Sequence, residues 1–557
     1  MGYKIGIDVG GTFTDTVLIQ DNEVLKEGKI LTDHKNILDT VLMAIDFLDL
    51  PRSMPLEHIT VSTTLVTNAI LQNELAEVNL VLFPGSGVKL SSFKWPVEYS
   101  ILSGELDYRG REIKAPDKNE WTKLAQELSS FNGNPRIAIV SKFSHRNNIF
   151  ETELKSYLEK IIPNAHIELG SEWGKSNFYR RSLTTYLNLA CTELFSNFRE
   201  NLKKAIAARG FNVPIRILKA DGGVFPLEKI RPVESIYSGP AASILGALAQ
   251  SEPEDSYIVV DIGGTTTDIG LVLDGSPLLS SKGAQIGYFL THIRSLAIRS
   301  VSIGGDSSII NSNGEIIISD YRSGPAYCMG GNNPTPTDAM RYLNFTDIGS
   351  FQKAEEALAS LLPENKRQPK TIKTLAESII EQMVGKIIQV INQLLSEWKN
   401  EPAYKVWEVL QQDPDYKFNV YLSGGPATCI AKVFENKMKT KVITSNWAPV
   451  SNAVGAAMAK PTFSWTLNLD TSLAKYRIEE TGEQGIWKGA KRPYKEVEKF
   501  LVDIARDQSL EMGIDFESYK IEPFEYFPLV ENYRTIGQIV RGSVHLPPGV
   551  IGRISDG

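Results

Sequence analysis

"IDVGGTFTDTVLIQ", Ile7 to Gln20, returns as "VDIGGTTTDIGLVL", Val260 to Leu273. Each copy grows out of an apolar run, "YKIGIDV" or "SYIVVDI", of the kind that forms a strand buried on both faces. An Asp closes the run (Asp8, Asp261), followed by two glycines, hydroxyl residues and a second Asp (Asp15, Asp268). More apolar sequence follows, ending at a turn dipeptide, Asp21-Asn22 or Asp274-Gly275. Both copies therefore read as hairpins whose first turn carries the polar side chains.

Those residue types suit phosphate. Gly10, Gly11, Gly263 and Gly264 put no Cβ in the way of an anion, so backbone N–H groups can point at its oxygens. Thr12, Thr14, Thr265 and Thr266 add hydroxyl donors. Asp8 and Asp261 would repel a bare phosphate, so they ask for a cation; Mg²⁺, which needs only one or two carboxylates, fits. A single copy could be no more than a tight turn. Six identities between Asp8–Asp15 and Asp261–Asp268, at roughly 5–7% per residue, make coincidence a poor account. The expectation is two phosphate loops facing one cleft, with Asp8 and Asp261 as the catalytic and metal-holding pair.

Two more glycine pairs follow strand-like runs. "FNVYLSGGPATCIAKVFENKM", Phe418 to Met438, reads as strand, Gly424-Gly425 loop and amphipathic helix, suited to a nucleotide base or ribose over the helix start. "SVSIGGDSSI", Ser300 to Ile309, offers Gly304-Gly305 as a further phosphate contact. An ordinary strand-to-loop glycine is the plainer reading of both. "SNAVGAAMA", Ser451 to Ala459, reads as a small-residue helix packing two halves together, or as an Ala-rich core helix.

In this order the loops resemble the actin, sugar-kinase and heat-shock-chaperone ATPase superfamily. More narrowly, "IDVGGTFTD", "STTLVTNAIL" (Ser62 to Leu71), "KADGG" (Lys219 to Gly223), "SGPAASILGA" (Ser238 to Ala247), "DIGGTTTD" and "PTPTDAMRYL" (Pro334 to Leu343) resemble the hydantoinase A/5-oxoprolinase family, which includes proteins of N-methylhydantoinase and acetone carboxylase type. The resemblance implies an α/β fold of two actin-like (ribonuclease H-like) ATPase halves around a nucleotide cleft. It also implies ATP and Mg²⁺ as cofactors, a cyclic amide or related carbonyl substrate, and a second, hydantoinase B-like subunit. Departures from the family pattern fall on the substrate side: Val61-Ser62, Tyr179-Arg180-Arg181, Gly304-Gly305-Asp306-Ser307 and the abridged "SGPAYCMGG".

Composition narrows the field. The chain has 557 residues, 42% hydrophobic and 22% charged, with net charge −7. No basic footprint for nucleic acid is visible. Cys191, Cys328 and Cys429 lie far apart, which fits neither a zinc site nor a disulfide framework. The six histidines (His34, His58, His145, His166, His292, His545) are isolated, and HExxH, GxSxG and GxxxxGK[ST] patterns are absent. The opening residues show no secretory signal, "MGYKIG" has Gly6 where a myristoylation signal wants Ser or Thr, and no apolar run is long enough for a membrane span. A cytoplasmic protein is expected.

Three domains are expected: an N-terminal ATPase half over 1–175, a second half over 176–460 with a helical insertion, and a small α+β C-terminal appendage over 461–557. The long helix from Pro369 carries a core stripe at Leu375, Ile379, Met383, Ile387, Ile391 and Leu394. The function implied is ATP-dependent hydrolysis of a cyclic amide such as a hydantoin or 5-oxoproline, or its activating subunit. A carboxylase subunit acting on a ketone, and a nucleotide-dependent conformational module without its own substrate, are the alternatives.

Overall fold

A computed structural model of the chain describes residues 2–33, 35–51, 54–129, 133–252, 255–400 and 418–555; His34 lies outside them. The first repeat forms a meander, Tyr3–Val9, Phe13–Gln20 and Glu23–Leu31, with Asp8 paired to Asp15. Asp21 and Asn22 both take left-handed φ (49° and 67°), as do Asp274 and Gly275 (47° and 70°). Two consecutive left-handed residues match the twist of the flanking strands, which is why Asn, Asp and Gly stand there.

Strand Leu56–Ser62 runs parallel to Tyr3–Val9, and Ile215–Leu218 and Val224–Pro226 complete a six-stranded sheet. The second repeat builds the same unit: Tyr257–Ile262 pairs with Thr267–Leu273, Asp261 opposite Asp268, and Asn419–Ser423 adds in parallel. The duplication runs deeper than the sequence match. Ser62 stands beside Asp8 and Ser423 beside Asp261, at equivalent places on the parallel neighbours.

The helix Ser238–Gln250 and the helix Ser451–Met458 lie against these sheets, and glycine lets them touch. A Cβ on Gly455 would sit 2.0 Å from the Ala242 carbonyl oxygen, one on Gly246 2.1 Å from that of Ser451, and one on Gly6 2.0 Å from that of Ala453. The small-residue segment thus clamps the first sheet to the helix leading into the second.

The helix Pro369–Lys399 buries every residue of its expected stripe in the core of the second sheet. A separate four-stranded parallel sheet, including Asn79–Phe83 and Arg136–Ser141, lies within the first 175 residues. Two boundaries differ from the expectation. Strands Ile215–Leu218 and Val224–Pro226, beyond residue 175, belong to the first sheet. The C-terminal sheet shares one continuous core with that first sheet: Trp465, Leu467 and Val540 pack with Ile5, Ile7 and Ile217. Alternating apolar residues on Phe463–Asp470 and Arg534–Leu546 supply its inner face, so this segment is not an appendage in its packing.

Candidate functional site

The two glycine turns close identically. Gly10 N–H donates to Phe13 O at 3.1 Å and Gly263 N–H to Thr266 O at 2.9 Å. A Cβ on Gly11 would meet nothing within 4 Å, and Thr265 and Thr266 are exposed. Between the loops stands a residue that sequence reading missed. Arg322 donates to Thr12 Oγ1 at 2.8 Å, to Thr265 Oγ1 at 3.4 Å and to Asp306 Oδ2 at 3.0 Å. One guanidinium therefore ties the first loop, the second loop and the Gly304–Asp306 loop.

Beneath the loops the two leading carboxylates converge on one amide. Asn452 Nδ2 donates to Asp8 Oδ2 and to Asp261 Oδ2, both at 3.2 Å. Ser243 Oγ donates to Asp261 Oδ2 at 2.6 Å and Ser423 Oγ to Asp261 Oδ1 at 3.2 Å. Asp8 is 3% exposed, and its Oδ1 has no hydrogen-bond partner among the described residues. Burial raises the Asp8 carboxyl above its ordinary range, with the Ser62 hydroxyl and Asn452 opposing and Asp261 adding to the rise. Burial pushes Asp15 to about 6 against the pull of Lys29, whose Nζ lies 2.5 Å from Asp15 Oδ1. It pushes Asp268 to about 7, with Asp261 and Asp8 adding repulsion. Four carboxylates thus act on one another, and the ammonium of Lys29, in contact with Asp15, also pulls the Asp8 carboxyl down. Among the described residues no three His, Cys, Asp or Glu side chains are grouped as a metal site, and the feature that suits a divalent cation of Mg²⁺ type is the orphaned, buried Asp8 Oδ1.

Three expected contacts come out differently. The Thr14 hydroxyl is buried against Thr32 Oγ1 at 2.9 Å, because strand alternation puts Asp15 on the face of Asp8 and turns Thr14 to the other. The Gly304 and Gly305 amides are already taken, by Ser307 Oγ at 2.9 Å and Gly263 O at 2.9 Å. A Cβ on Gly304 would lie 2.5 Å from the Gly264 carbonyl carbon, so this pair braces the second loop from behind. Gly424, at φ 89°, has its amide on Ala448 O, and a Cβ there would lie 2.2 Å from Ile262 O. Its role is close approach to the end of the Asp261 strand, while Gly425 faces open space at the start of helix Ala427–Met438. Asn452 carried a readable signal as the polar residue of an Ala-rich helix; Arg322 carried none.

A hairpin, its parallel neighbour and an inward Asp, built twice with both leading carboxylates on Asn452, define an α/β protein with a duplicated acidic unit. Comparison with known proteins supplies the particular family. Residues 4–162 match the hydantoinase/oxoprolinase N-terminal region and residues 181–464 the hydantoinase/oxoprolinase model; the chain belongs to this family. The caprolactamase subunit alpha of Pseudomonas jessenii is 24% identical over 63% of this chain and 55% of its own length. The acetophenone carboxylase gamma subunit of Aromatoleum aromaticum is 24% identical over 68% of this chain and 59% of its own. The chain thus spans somewhat over half of each relative. A nucleotide-free structure of acetone carboxylase has the same fold, with a TM-score of 0.71 at 15% identity over 100% of this chain and 89% of that one. Among the described residues no helix is long and apolar enough to cross a membrane.

Proposed function

We propose that this chain is the nucleotide-handling subunit of an ATP-dependent enzyme that phosphorylates the carbonyl oxygen of a cyclic amide before the ring opens. In this reading the two hairpin units are actin-like halves around the cleft. The observation that carries it is Asn452 holding Asp8 and Asp261 together beneath two matched loops, with Arg322 reaching across them. The relatives support it, since caprolactam and acetone chemistry in their names both begin at a carbonyl oxygen.

The residues divide the work. Asp8 and Asp261 would hold Mg²⁺, which supplies positive charge against the phosphates. Loop N–H groups at Gly10–Thr12 and Gly263–Thr265, with the hydroxyls of Thr12 and Thr265, position the terminal phosphoryl group. Arg322 exchanges its two threonine partners for phosphoryl oxygens, where charge is greatest. The Gly424-Gly425 loop and the helix after it receive the nucleoside. The amide oxygen attacks the γ-phosphorus, the bond from phosphorus to the β,γ-bridging oxygen breaks, and its electron pair leaves on ADP. Such a transfer relies on positioning and charge stabilisation, so no strong base is demanded of the chain.

A carboxylase reading has a specific observation behind it. The acetophenone carboxylase subunit matches a larger share of the chain than the caprolactamase subunit, at the same identity. A ketone enolate oxygen would attack the same phosphorus. Phosphate release measured with Mg·ATP alone, with caprolactam, hydantoin or 5-oxoproline, and with acetone or acetophenone plus bicarbonate separates these readings. Lactam-stimulated turnover is expected; stimulation by ketones alone selects the carboxylase, and turnover indifferent to all of them selects a conformational module. The relatives are named as subunits, so the lone chain is expected to release no ring-opened product; robust ring opening by it would overturn the division of labour.

A further inference from the structure

A cavity of about 700 Å³ among the described residues contains none of the paired loops. It lies where the Lys219–Gly223 turn, the segment Leu279–Arg294 and the C-terminal sheet meet. Such a volume is within the range of small-molecule sites. Seven lysines and arginines line it against four carboxylates, in a chain of net charge −7.

Several of these charges are matched in place. Lys219 lies 3.6 Å from Asp221, which also accepts from Thr462 Oγ1 at 2.8 Å, and Lys175 lies 3.0 Å from Glu480. Arg231 stacks over Trp173 at 4.3 Å. Arg294 shares with Lys219 in holding the Asp221 carboxyl below its usual range, but it makes no ion-pair contact among the described residues; it is half-buried, and its guanidinium makes one hydrogen bond, from Nη1 to Ser464 Oγ at 2.6 Å. Lys282, nearby on the wall, has no ion-pair partner among the described residues, and Arg541 reaches Glu479 at only 3.4 Å. Hydroxyls of Ser280, Ser464, Thr466 and Ser543 sit among these cations, with Phe225, Leu279, Ile293, Phe463 and Met512 forming apolar wall.

We propose that this cavity is a second binding site, for a small organic carboxylate, with Arg294 as its anchor and Lys282 and Arg541 as supporting charges. Arg294 keeps a fork of donors that a planar carboxylate matches in pairs. The apolar wall suits a carbon skeleton. Inorganic phosphate has no carbon skeleton to cover that apolar wall, so the occupant is an organic carboxylate. The C-terminal segment, which carries no catalytic motif in sequence, then acquires a role: it supplies Ser464, Arg541 and Ser543. This inference goes beyond the nucleotide reading and does not depend on it.

Isothermal titration calorimetry of the full chain with glutarate, with glutaramide as its uncharged counterpart, and with inorganic phosphate tests it. Glutarate is expected to bind, more weakly as salt is raised, glutaramide to give no saturable heat, and phosphate to bind at least about ten-fold more weakly. Arg294→Gln should lower glutarate affinity about ten-fold or more. Lys282→Gln, at an exposed position, should lower it less and tests the same charge if the first variant does not fold. Glutaramide or phosphate binding as tightly as glutarate, no heat with millimolar glutarate, or unchanged affinity in both variants would overturn the proposal. A thermal shift with Mg·ATP, run alongside, is expected to persist in Arg294→Gln. Glutarate binding without a nucleotide shift sinks the nucleotide reading alone, and the reverse sinks this one alone.

Discussion

Arg322→Ala removes a group that does little for the resting fold and much for a bound phosphoryl group. Its guanidinium meets two hydroxyls, the Gly324 carbonyl and Asp306, and the side chains of the Arg322–Asp306 pair are 21% and 14% exposed. A partly screened pair of that kind is worth about 1 kcal/mol or less. The melting temperature should fall by a few degrees at most. On an anion that gains charge as the bond breaks, a preorganised donor is worth about 2.7–4 kcal/mol, or 10²–10³ in kcat. The assay is steady-state phosphate release with Mg·ATP and the best carbonyl activator, beside thermal melts and separate ATP and ADP affinities. Arg322→Ala is expected to lose about 10²–10³ in kcat and the preference for ATP over ADP, while ADP affinity holds. Arg322→Lys should recover only part, since an ammonium keeps the charge without the fork. Asp306→Asn separates bracing from contact. If it reproduces the full loss, or if Arg322→Ala keeps kcat within about three-fold, Arg322 does not touch the transferred group.

Asp8→Asn and Asp261→Asn keep the shape and remove charge, so each should abolish Mg²⁺-dependent ATP turnover while circular dichroism stays native; near-full turnover in either removes that residue as cation anchor. Gly455→Ala places a methyl 2.0 Å from the Ala242 carbonyl oxygen, which should cost about 1–3 kcal/mol in urea unfolding and lower turnover through Asn452 on the same helix; an unchanged urea midpoint would mean the helices do not meet as described. Burial, with Arg181, Arg146 and Arg477 close by, depresses His145 to about 2. Below pH ~6.5 the unfolded chain takes up a proton that the folded chain refuses, so stability falls on acidification by about 1.4 kcal/mol per pH unit from this group. His145→Gln should flatten the acid limb of the urea midpoint by that amount between pH 6 and 4, and an equally steep limb would locate the proton elsewhere.

The repeat made half of each sheet legible, because Asp, Gly-Gly and a turn dipeptide at fixed spacing are local signals. The stripe from Leu375 to Leu394 was equally plain and is buried as its 3.6-residue period demands. What stayed hidden depended on partners distant in sequence. Arg322 lies in a polar loop 310 residues from Thr12, and no periodicity marks where such a side chain reaches. Thr14 could have been excluded: it neighbours Asp15 on a strand, so the two cannot face the same way. Gly304–Gly305 looked like the phosphate loops because glycine also serves where two backbones touch, and sequence does not separate the two uses. The continuation of the first sheet past residue 175, through Ile215–Leu218, is a parallel strand pairing to Leu56–Ser62 that only tertiary contact could specify.

Why the device is needed twice follows from its electrostatics. A single hairpin brings Asp8 beside Asp15, and Lys29 offsets that crowding by its contact with Asp15. The second hairpin brings Asp261 beside Asp268 with hydroxyl partners alone, Ser243 and Ser423 on one and Ser300 on the other. Joining the halves adds the repulsion of Asp8 for Asp261, which the neutral amide of Asn452 bridges without cancelling charge. Packing must therefore hold the arrangement, and the contacts at Gly246, Gly455 and Gly6 do so with backbone pressed on backbone. The four carboxylates carry more negative charge than Lys29 offsets. Together the two hairpins present two carboxylates and two loops, and in the proposed function a divalent cation and the phosphates it accompanies would satisfy both at once. On that reading one ligand would be held by both units at once, through residues that touch both: Asn452 on Asp8 and Asp261, and Arg322 on Thr12 and Thr265.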